Sequence, residues 1–226
     1  MQLNINNLKK NYDTKEVLKG IDYTFEEGKI YGLLGRNGAG KTTLFNCINS
    51  DIQYEGTILL DNEIITPDDI SYCIAEPLVP EFLTGKEFLK FFIDINKDKI
   101  NDLKTPEEYF EKIHLEKDAL DKLLKEYSTG MKNKIQMLVN MILNTKILLL
   151  DEPLTSLDVI AQEEMKTLLK ELKKDHILII STHIMELALD LCDEIVILDE
   201  GVLQKVTKQN MNKEYIINHF KGDNND

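Results

Sequence analysis

Gly35-Arg36-Asn37-Gly38-Ala39-Gly40-Lys41-Thr42 is a glycine-rich stretch that ends in a lysine and a threonine. It has the spacing of a phosphate-binding P-loop, and it directly follows the apolar run 30–34. Glycines in such a loop let backbone N–H groups turn inward around phosphate oxygens, and a helix that begins near Lys41 directs the positive end of its dipole at the same anion. The stretch predicts a nucleotide-phosphate site, with Lys41 on the β- and γ-phosphates and the Thr42 hydroxyl on Mg²⁺.

A second apolar strand, Leu148-Leu149-Leu150, ends in the acidic pair Asp151 and Glu152. Side chains alternate between the two faces within a strand, but the strand ends here, so both acids can point into the site. Taken alone, the pair is equally compatible with a solvent-exposed strand end. Beside a P-loop, Asp151 is placed to bind Mg²⁺ through water, and Glu152 is placed to polarise an attacking water as general base.

Strand and helix patterns surround these two motifs. Apolar runs predict strands over 21–25, 30–34, 57–60, 70–74, 147–150, 177–180 and 195–198. Helices are predicted after the capping boxes that begin at Thr84 and Thr105, near Ser128 or Thr129, and over 159–174 and 184–192. The alternation after residue 147 predicts a mostly parallel sheet covered on both faces, with ligands at the carboxyl ends of its strands. The stretch from about 77 to 143 is predicted to be a helical insert, and 221–226 a polar tail.

Composition narrows the function classes. A net charge of -13 disfavours binding to nucleic acid or to a bare anionic membrane. The longest apolar runs, 146–150 and 177–180, are far too short to span a bilayer, and the N-terminus shows no signal peptide, so a cytosolic chain is expected. Cys47, Cys73 and Cys192 are widely spaced and are interpreted as reduced, apolar core residues. Arg36 is the only arginine, against 26 lysines.

Several further motifs appear in the order typical of ABC-type ATPase domains. Tyr127-Ser128-Thr129-Gly130-Met131-Lys132 resembles the signature sequence L-S-G-G-Q, in the form found in exporters of drugs, antibiotics and antimicrobial peptides. Ser156-Leu157-Asp158 resembles the D-loop, and Thr182-His183 resembles the switch histidine. Tyr12 lies where the family places an aromatic residue that stacks on adenine. The resemblance extends over nearly the whole chain.

This resemblance implies a P-loop NTPase α/β domain over residues 1–220, with a mostly parallel core sheet, an N-terminal antiparallel β subdomain and the helical insert. It implies ATP and Mg²⁺ as cofactors, a second copy in a head-to-tail ATP sandwich, and a separate permease that holds the chain at the inner face of the cell membrane. His183 would contact the γ-phosphate, and Ser128 and Gly130 would reach it from the partner. The expected nucleotide contacts are Tyr12, Gly35, Asn37, Gly38, Ala39, Gly40, Lys41, Thr42, Thr43, Ser128 and Gly130.

The sequence departs from the family pattern at a few positions. Thr129 replaces the first signature glycine, and Val159 stands where a proline often follows the D-loop aspartate. Ala75 occupies the place of the Q-loop glutamine, so the corresponding Mg²⁺ contact either comes from Glu76, one position later, or is missing.

Three functional classes remain to be compared. The first is a transporter ATPase, the second a soluble ABC-type ATPase such as an assembly factor, and the third another P-loop enzyme such as a small-molecule kinase. The single arginine disfavours the kinase, because many such enzymes stabilise the transferring phosphoryl group with arginines. The transported substrate is not encoded here, since selectivity in the family belongs to the membrane subunit.

Overall fold

A computed structural model describes residues 1–100, 102–155 and 157–222. Its strands are β1 Gln2–Tyr12, β2 Lys15–Glu26, β3 Lys29–Leu34, β4 Glu55–Leu60, β5 Glu63–Ile64, β6 Ile70–Cys73, β7 Ile147–Asp151, β8 Ile177–Thr182, β9 Glu194–Asp199 and β10 Val202–Val206. Its α-helices are α1 Lys41–Ile48, α2 Gly85–Asn96, α3 Pro106–Lys112, α4 Thr129–Leu143, α5 Val159–Leu172, α6 Met185–Leu191 and α7 Lys213–Gly222. Short 3₁₀ turns connect several of these elements.

The central sheet has six strands in the order β10-β9-β3-β8-β7-β6. All of its neighbouring strands pair in parallel except β9 and β10, which form an antiparallel hairpin around Gly201. The prediction of a mostly parallel sheet is confirmed. Because β3, β7 and β8 are adjacent and parallel, their carboxyl ends meet at one edge of the sheet. This topology brings together the phosphate loop, the acidic pair and His183.

An antiparallel sheet of four strands, β2-β1-β4-β5, packs beside the central one. The core between the two sheets and α1 includes Leu3, Phe25, Tyr31, Phe45 and Leu149, each at most 1% exposed. This sheet is the expected N-terminal antiparallel layer. Strand β1 itself was not predicted from the sequence, and its geometry explains why. Register shifts interrupt β1 between residues 5 and 8, where residue 7 has φ 46°, so strict alternation of apolar residues is lost.

Helices α2, α3 and α4 surround a separate apolar cluster that includes Leu89, Phe110 and Leu138. Each helix begins where its cap predicted: Thr84, Thr105 and Ser128 accept hydrogen bonds from backbone N–H groups of the first turn. Three predicted elements are one or two residues shorter than expected, since β6 ends at residue 73, α5 at 172 and α6 at 191. Helix α7 was not predicted, and it includes the first two residues of the expected tail. Among the described residues, no helix is long and apolar enough to cross a membrane.

Candidate functional site

The phosphate loop joins β3 to α1, and its glycines have steric reasons to be there. Gly38 and Gly40 have φ values of 81° and 107°, at which a residue with a side chain would be strained. A Cβ on Gly35 would lie 2.7 Å from the carbonyl oxygen of Leu198, so the loop passes directly against β9. The Ala39 N–H donates to the Arg36 carbonyl at 3.1 Å and closes a turn. The loop is therefore a compact set of backbone turns at the N-terminus of α1.

Lys41 folds back over this loop. Its Nζ donates to the Gly35 carbonyl at 2.7 Å and approaches the Arg36 carbonyl at 3.3 Å. Burial lowers the pKa of Lys41, while the negative charges of Glu152 and Asp151 act in the opposite direction. A partly desolvated ammonium inside a loop of backbone amides is well suited to a phosphate anion.

A cavity of about 500 Å³ lies in front of the loop, and it contains most of the predicted nucleotide contacts. Its lining residues are Tyr12, Lys15, Val17, Asn37, Gly38, Gly40, Lys41, Thr42, Thr43, Ala75, Asp151 and Glu152. Tyr12 is 45% exposed, with Lys10 Nζ 4.9 Å from the centre of its ring, so one face of the cavity carries an accessible aromatic ring. Gly35 and Ala39 belong to the loop but line neighbouring cavities. Lys15 and Val17 were not predicted.

Asp151 accepts hydrogen bonds from hydroxyl groups on two other elements. Thr42 Oγ1 of α1 lies 3.3 Å from Asp151 Oδ2, and Ser181 Oγ of β8 donates to Oδ1. Burial, together with the charge of Asp151 and a hydrogen bond to it, raises the pKa of the neighbouring Tyr72 hydroxyl. Mg²⁺ in phosphate sites takes oxygen ligands, commonly one or two carboxylates with hydroxyls, waters and the phosphates themselves. Thr42 and Asp151 fit such a site.

Glu152 comes one residue after the strand and has φ 49°, a conformation that non-glycine residues rarely adopt. Its N–H donates to the Ser181 carbonyl at 3.1 Å. Its carboxylate lies between two side chains: Oε1 is 2.7 Å from His183 Nδ1, and Oε2 accepts from Thr155 Oγ1 at 2.9 Å. The structure therefore places His183 beside Glu152. Non-glycine residues in strained conformations are common at functional sites.

Ser181, Tyr72 and Thr155 contact the acidic pair and were missed by sequence reasoning. Ser181 could have been found, because parallel pairing places the residue two before His183 directly beside Asp151. Tyr72 lies on β6, opposite residue 149 rather than opposite either acid. Its approach to Asp151 depends on side-chain direction, which leaves no signal in the sequence.

The signature residues lie apart from this cavity. Ser128 caps α4, and its Oγ accepts from the N–H of Met131 at 3.2 Å. Ser128 is exposed and Gly130 is partly exposed, and neither is among the described residues that line the nucleotide cavity. Of the expected D-loop, Ser156 lies outside the described residues, while Asp158 caps α5 by accepting from Ala161 N–H at 2.9 Å.

The region of the missing glutamine joins two cavities. Ala75 lines both the nucleotide cavity and a second one of about 540 Å³. Glu76, Glu81, Thr129 and Lys132 line the second cavity. Glu76 is exposed, and it is not among the described residues that line the nucleotide cavity. The geometry gives no support to Glu76 as a replacement ligand in this conformation.

The fold and this site define a P-loop NTPase domain, and comparison with known proteins makes the class more specific. The family model for ABC transporters matches residues 18–155. An uncharacterized ABC transporter ATP-binding protein of Methanocaldococcus jannaschii is 33% identical over 204 residues, which cover 88% of this chain and 75% of that protein. The chain belongs to the ABC transporter family.

Two further similarities set the scope of this assignment. ABC transporter A family member 4 of Arabidopsis thaliana is 33% identical over 201 residues, and the match covers 85% of this chain but only 22% of the plant protein. The dimeric, post-hydrolysis structure of the ATP-binding cassette MJ0796, bound to ADP and Pi, has a TM-score of 0.77. That match covers 91% of this chain and 99% of the other at 21% identity, so it shows the shared fold. ATP binding and ATP hydrolysis follow from the family.

Proposed function

We propose that this chain is the ATP-hydrolysing subunit that powers transport of a substrate through a separate membrane permease. The observation that carries the proposal is that one cavity is lined by Lys41, Thr42, Asp151 and Glu152. His183 lies within hydrogen-bond distance of Glu152. Residues 1–220 would form the working ATP-binding domain, with the helical region at about 77–143 as its insert. The resemblance of the signature to that of exporters favours outward transport of a drug, antibiotic or peptide.

ATP and Mg²⁺ are the proposed cofactors, and each lining residue has a role that its chemistry supports. The backbone N–H groups of 37–43 would surround the phosphates, and Lys41 would neutralise their charge. Thr42 and Asp151 would hold Mg²⁺, which supplies charge neutralisation for the phosphates when it is bound. The exposed ring of Tyr12 offers a surface on which adenine can stack.

Glu152 is the proposed general base. Glu152 lines the nucleotide cavity, where its carboxylate can accept a proton from a water that attacks the γ-phosphorus. His183 Nδ1 faces the Glu152 carboxylate and donates to it, and Nε2 can donate to an oxygen of the γ-phosphate when it also carries a proton. Thr155 holds the second carboxylate oxygen, so both contacts orient the base before the nucleotide arrives.

A second copy of the chain would complete the site. None of the described residues lining the nucleotide cavity is an arginine, and Lys41 is the cation placed over the loop. The exposed N-terminus of α4, at Ser128 and Gly130, offers N–H groups and a hydroxyl to a phosphate on another chain. The dimeric structure of the similar cassette supports this arrangement. We infer a head-to-tail dimer with two ATP molecules between the chains.

The permease contact is proposed on the helical region, on the cytoplasmic face of the membrane. Four exposed apolar side chains lie on or just before α2: Leu78, Phe82, Phe91 and Ile95 are 57–79% exposed. Leu78 also lines the second cavity. Exposed apolar surface of this kind is typical of protein–protein contacts. No binding to nucleic acid is proposed.

Co-expression and co-purification with a candidate multi-span membrane protein, chosen from the neighbouring genes, tests the transport role. We expect the wild-type chain to be retained on membranes only with the permease, and Phe82→Asp to reduce that retention. Ile64→Asp is the matched control, because Ile64 is equally exposed at 80% but lies on β5 of the antiparallel sheet. An active ATPase that never associates with a membrane protein would favour a soluble ABC-type ATPase instead.

A further inference from the structure

The side chain of Arg36 points away from the nucleotide cavity. The lining of that cavity includes Asn37, Gly38 and Lys41 but not Arg36, which lines two neighbouring cavities instead. One of these, of about 320 Å³, lies between the phosphate loop and the C-terminal helix α7. The only arginine of the chain is therefore not aimed at phosphate, although it lies within the phosphate loop.

Arg36 instead contacts the last turn of α7. Its guanidinium donates a hydrogen bond to the Phe220 carbonyl and lies 6.0 Å from the centre of the Phe220 ring. Carbonyl groups in the last turn of a helix lack partners within the helix and lie at its negative end. A planar guanidinium can bond such a carbonyl and face an aromatic ring, which the ammonium of lysine does less well. The contact suits arginine in a chain that otherwise uses lysine.

Helix α7 is itself fixed to the parallel-sheet core. Ile216 is fully buried in the apolar cluster beneath α6, and Lys213 pairs with Glu186 of α6. The Asn212 side chain accepts from the N–H of Tyr215 at 2.9 Å and caps the first turn. His219 Nε2 lies 3.6 Å from Asp199 Oδ2 at the end of β9. A side chain that is bonded to α7 is therefore held against the central sheet as well.

The backbone of Arg36 belongs to the turn that shapes the loop. Its carbonyl accepts from the Ala39 N–H at 3.1 Å and lies 3.3 Å from Lys41 Nζ. Fixing the side chain of this residue restricts the backbone on which the phosphate-binding N–H groups depend. A loop restricted in its binding conformation loses less entropy when a ligand arrives.

We propose that α7 positions the phosphate loop for ATP through the contact between Arg36 and Phe220. Arg36 is a positioning residue in this proposal, and it acts through the loop rather than on the nucleotide. The inference rests on ATP binding at the phosphate loop, and it adds the C-terminal helix to the determinants of ATP affinity.

The test combines Arg36→Ala, Arg36→Lys and Phe220→Ala, with Lys19→Ala as the matched control. Lys19 and Arg36 line the same cavity, but Lys19 belongs to β2 rather than to the loop. ATP affinity is measured by titration of the purified chain with a fluorescent ATP analogue and Mg²⁺, and KM and kcat by phosphate release. Loss of one charge-assisted hydrogen bond at an exposed site predicts roughly 3- to 10-fold weaker binding for Arg36→Ala.

The rise in KM should exceed the fall in kcat, Arg36→Lys should be intermediate, and Lys19→Ala should match the wild type. Phe220→Ala removes the ring contact but keeps the backbone carbonyl that accepts from Arg36, so alone it should weaken ATP binding less than Arg36→Ala. Combining Arg36→Ala with Phe220→Ala should weaken ATP binding no further than Arg36→Ala alone, because Arg36→Ala already removes both contacts. Melting temperatures of the ATP-free variants identify any loss due to unfolding, and Phe220→Leu replaces Phe220→Ala if the latter does not fold. Additive losses, unchanged affinity or tighter ATP binding in Arg36→Ala would overturn the positioning role. Failure of the wild-type chain to bind or hydrolyse ATP would instead overturn the proposed function.

Discussion

Replacing Glu152 with glutamine removes the proposed base while preserving the hydrogen bonds around it. The amide oxygen can accept from His183 Nδ1 as Glu152 Oε1 does at 2.7 Å. The amide nitrogen can donate to Thr155 Oγ1, because that hydroxyl also has the backbone carbonyl of residue 152 as an acceptor, at 3.0 Å. Both neighbours thus keep a partner, and the free energy of unfolding should change little.

The expected loss is therefore chemical. General-base assistance contributes about 10²–10⁴-fold to a rate, which corresponds to roughly 3–5 kcal/mol in activation free energy. ATP affinity should remain close to that of the wild type, since Lys41 and the loop amides are untouched. Glu200→Gln is the matched control, because Glu200 also has a positive φ, 45°, and lies in the turn between β9 and β10. It should leave turnover unchanged.

Turnover is measured as phosphate release under saturating ATP and Mg²⁺, and binding by equilibrium titration. A Glu152→Gln protein that hydrolyses ATP at the wild-type rate would refute the base assignment. A variant that loses ATP binding together with turnover would show that Glu152 acts on the ground state.

The same variant tests the proposed dimer, because ATP that is bound but not hydrolysed should hold two chains together. Light scattering after size-exclusion chromatography should show an ATP-dependent dimer for Glu152→Gln. Adding Ser128→Arg should abolish it, since a bulky side chain would block the approach of α4 to the phosphate. Thr105→Arg controls for loss of a helix cap, because Thr105 caps α3 in the same way. If isolated chains associate too weakly, the test is repeated in the complex with the permease. A Glu152→Gln complex that binds ATP without joining its two ATPase chains would contradict the dimer model.

Three further predictions follow from contacts around the loop. Lys41→Ala should abolish hydrolysis and weaken ATP binding, because the loop then lacks the cation that lies on its carbonyls; phosphate release above that of a mock purification would contradict this. Because burial lowers the pKa of Lys41 below its usual 10.5, the neutral form grows as pH rises toward that value, so ATP affinity should fall over the same range. Titrations that start at neutral pH and rise toward pH 10.5 should show the fall in the wild type and not in Lys41→Arg. Ser181→Ala should raise the Mg²⁺ concentration for half-maximal turnover by about 10-fold, because Asp151 loses a hydroxyl that orients it; an unchanged Mg²⁺ dependence would exclude that role.

Much of this architecture could be predicted because local signals and global topology agree. Capping boxes located the starts of α2 and α3, and continuous apolar runs located the buried parallel strands. Four elements were not predicted, namely β1, β5, β10 and α7. For β1 and α7 the physical reason is an irregular or weak pattern. The bulge near Asn7 interrupts the alternation of β1. In α7, Ile216 is buried while the apolar residues Tyr215, Ile217 and Phe220 stay partly or fully exposed, so no continuous apolar face marks the helix.

The candidate site was predictable where chemistry depends on residue type and order. Lys41, Asp151 and Glu152 were assigned from motifs, and the structure gathers all three around one cavity. Contacts made by ordinary hydroxyls were harder to predict. Ser181 can be found only if the parallel register of β7 and β8 is inferred in addition to the motifs. Thr155 has the same sequence context as many structural residues, and its contact with Glu152 depends on a local backbone turn that only the folded chain reveals.

The backbone conformation at Glu152 gives a last prediction. Loss of the carboxylate affects turnover, whereas the strained φ affects stability, so the two effects can be measured separately. Strand alternation would turn the residue after Asp151 toward the opposite face, and φ 49° is what brings the Glu152 carboxylate to His183 and Thr155. A left-handed conformation costs a non-glycine residue roughly 1–2 kcal/mol. Glu152→Gly and Glu152→Ala should both lose turnover, but the glycine variant should be about 1 kcal/mol more stable than the alanine variant. For a chain of this length that difference is about 2–4 °C in melting temperature, measured on ATP-free protein. An alanine variant as stable as the glycine variant would mean that the backbone at Glu152 relaxes once its side chain is gone, and that the functional side chain itself holds the strained conformation.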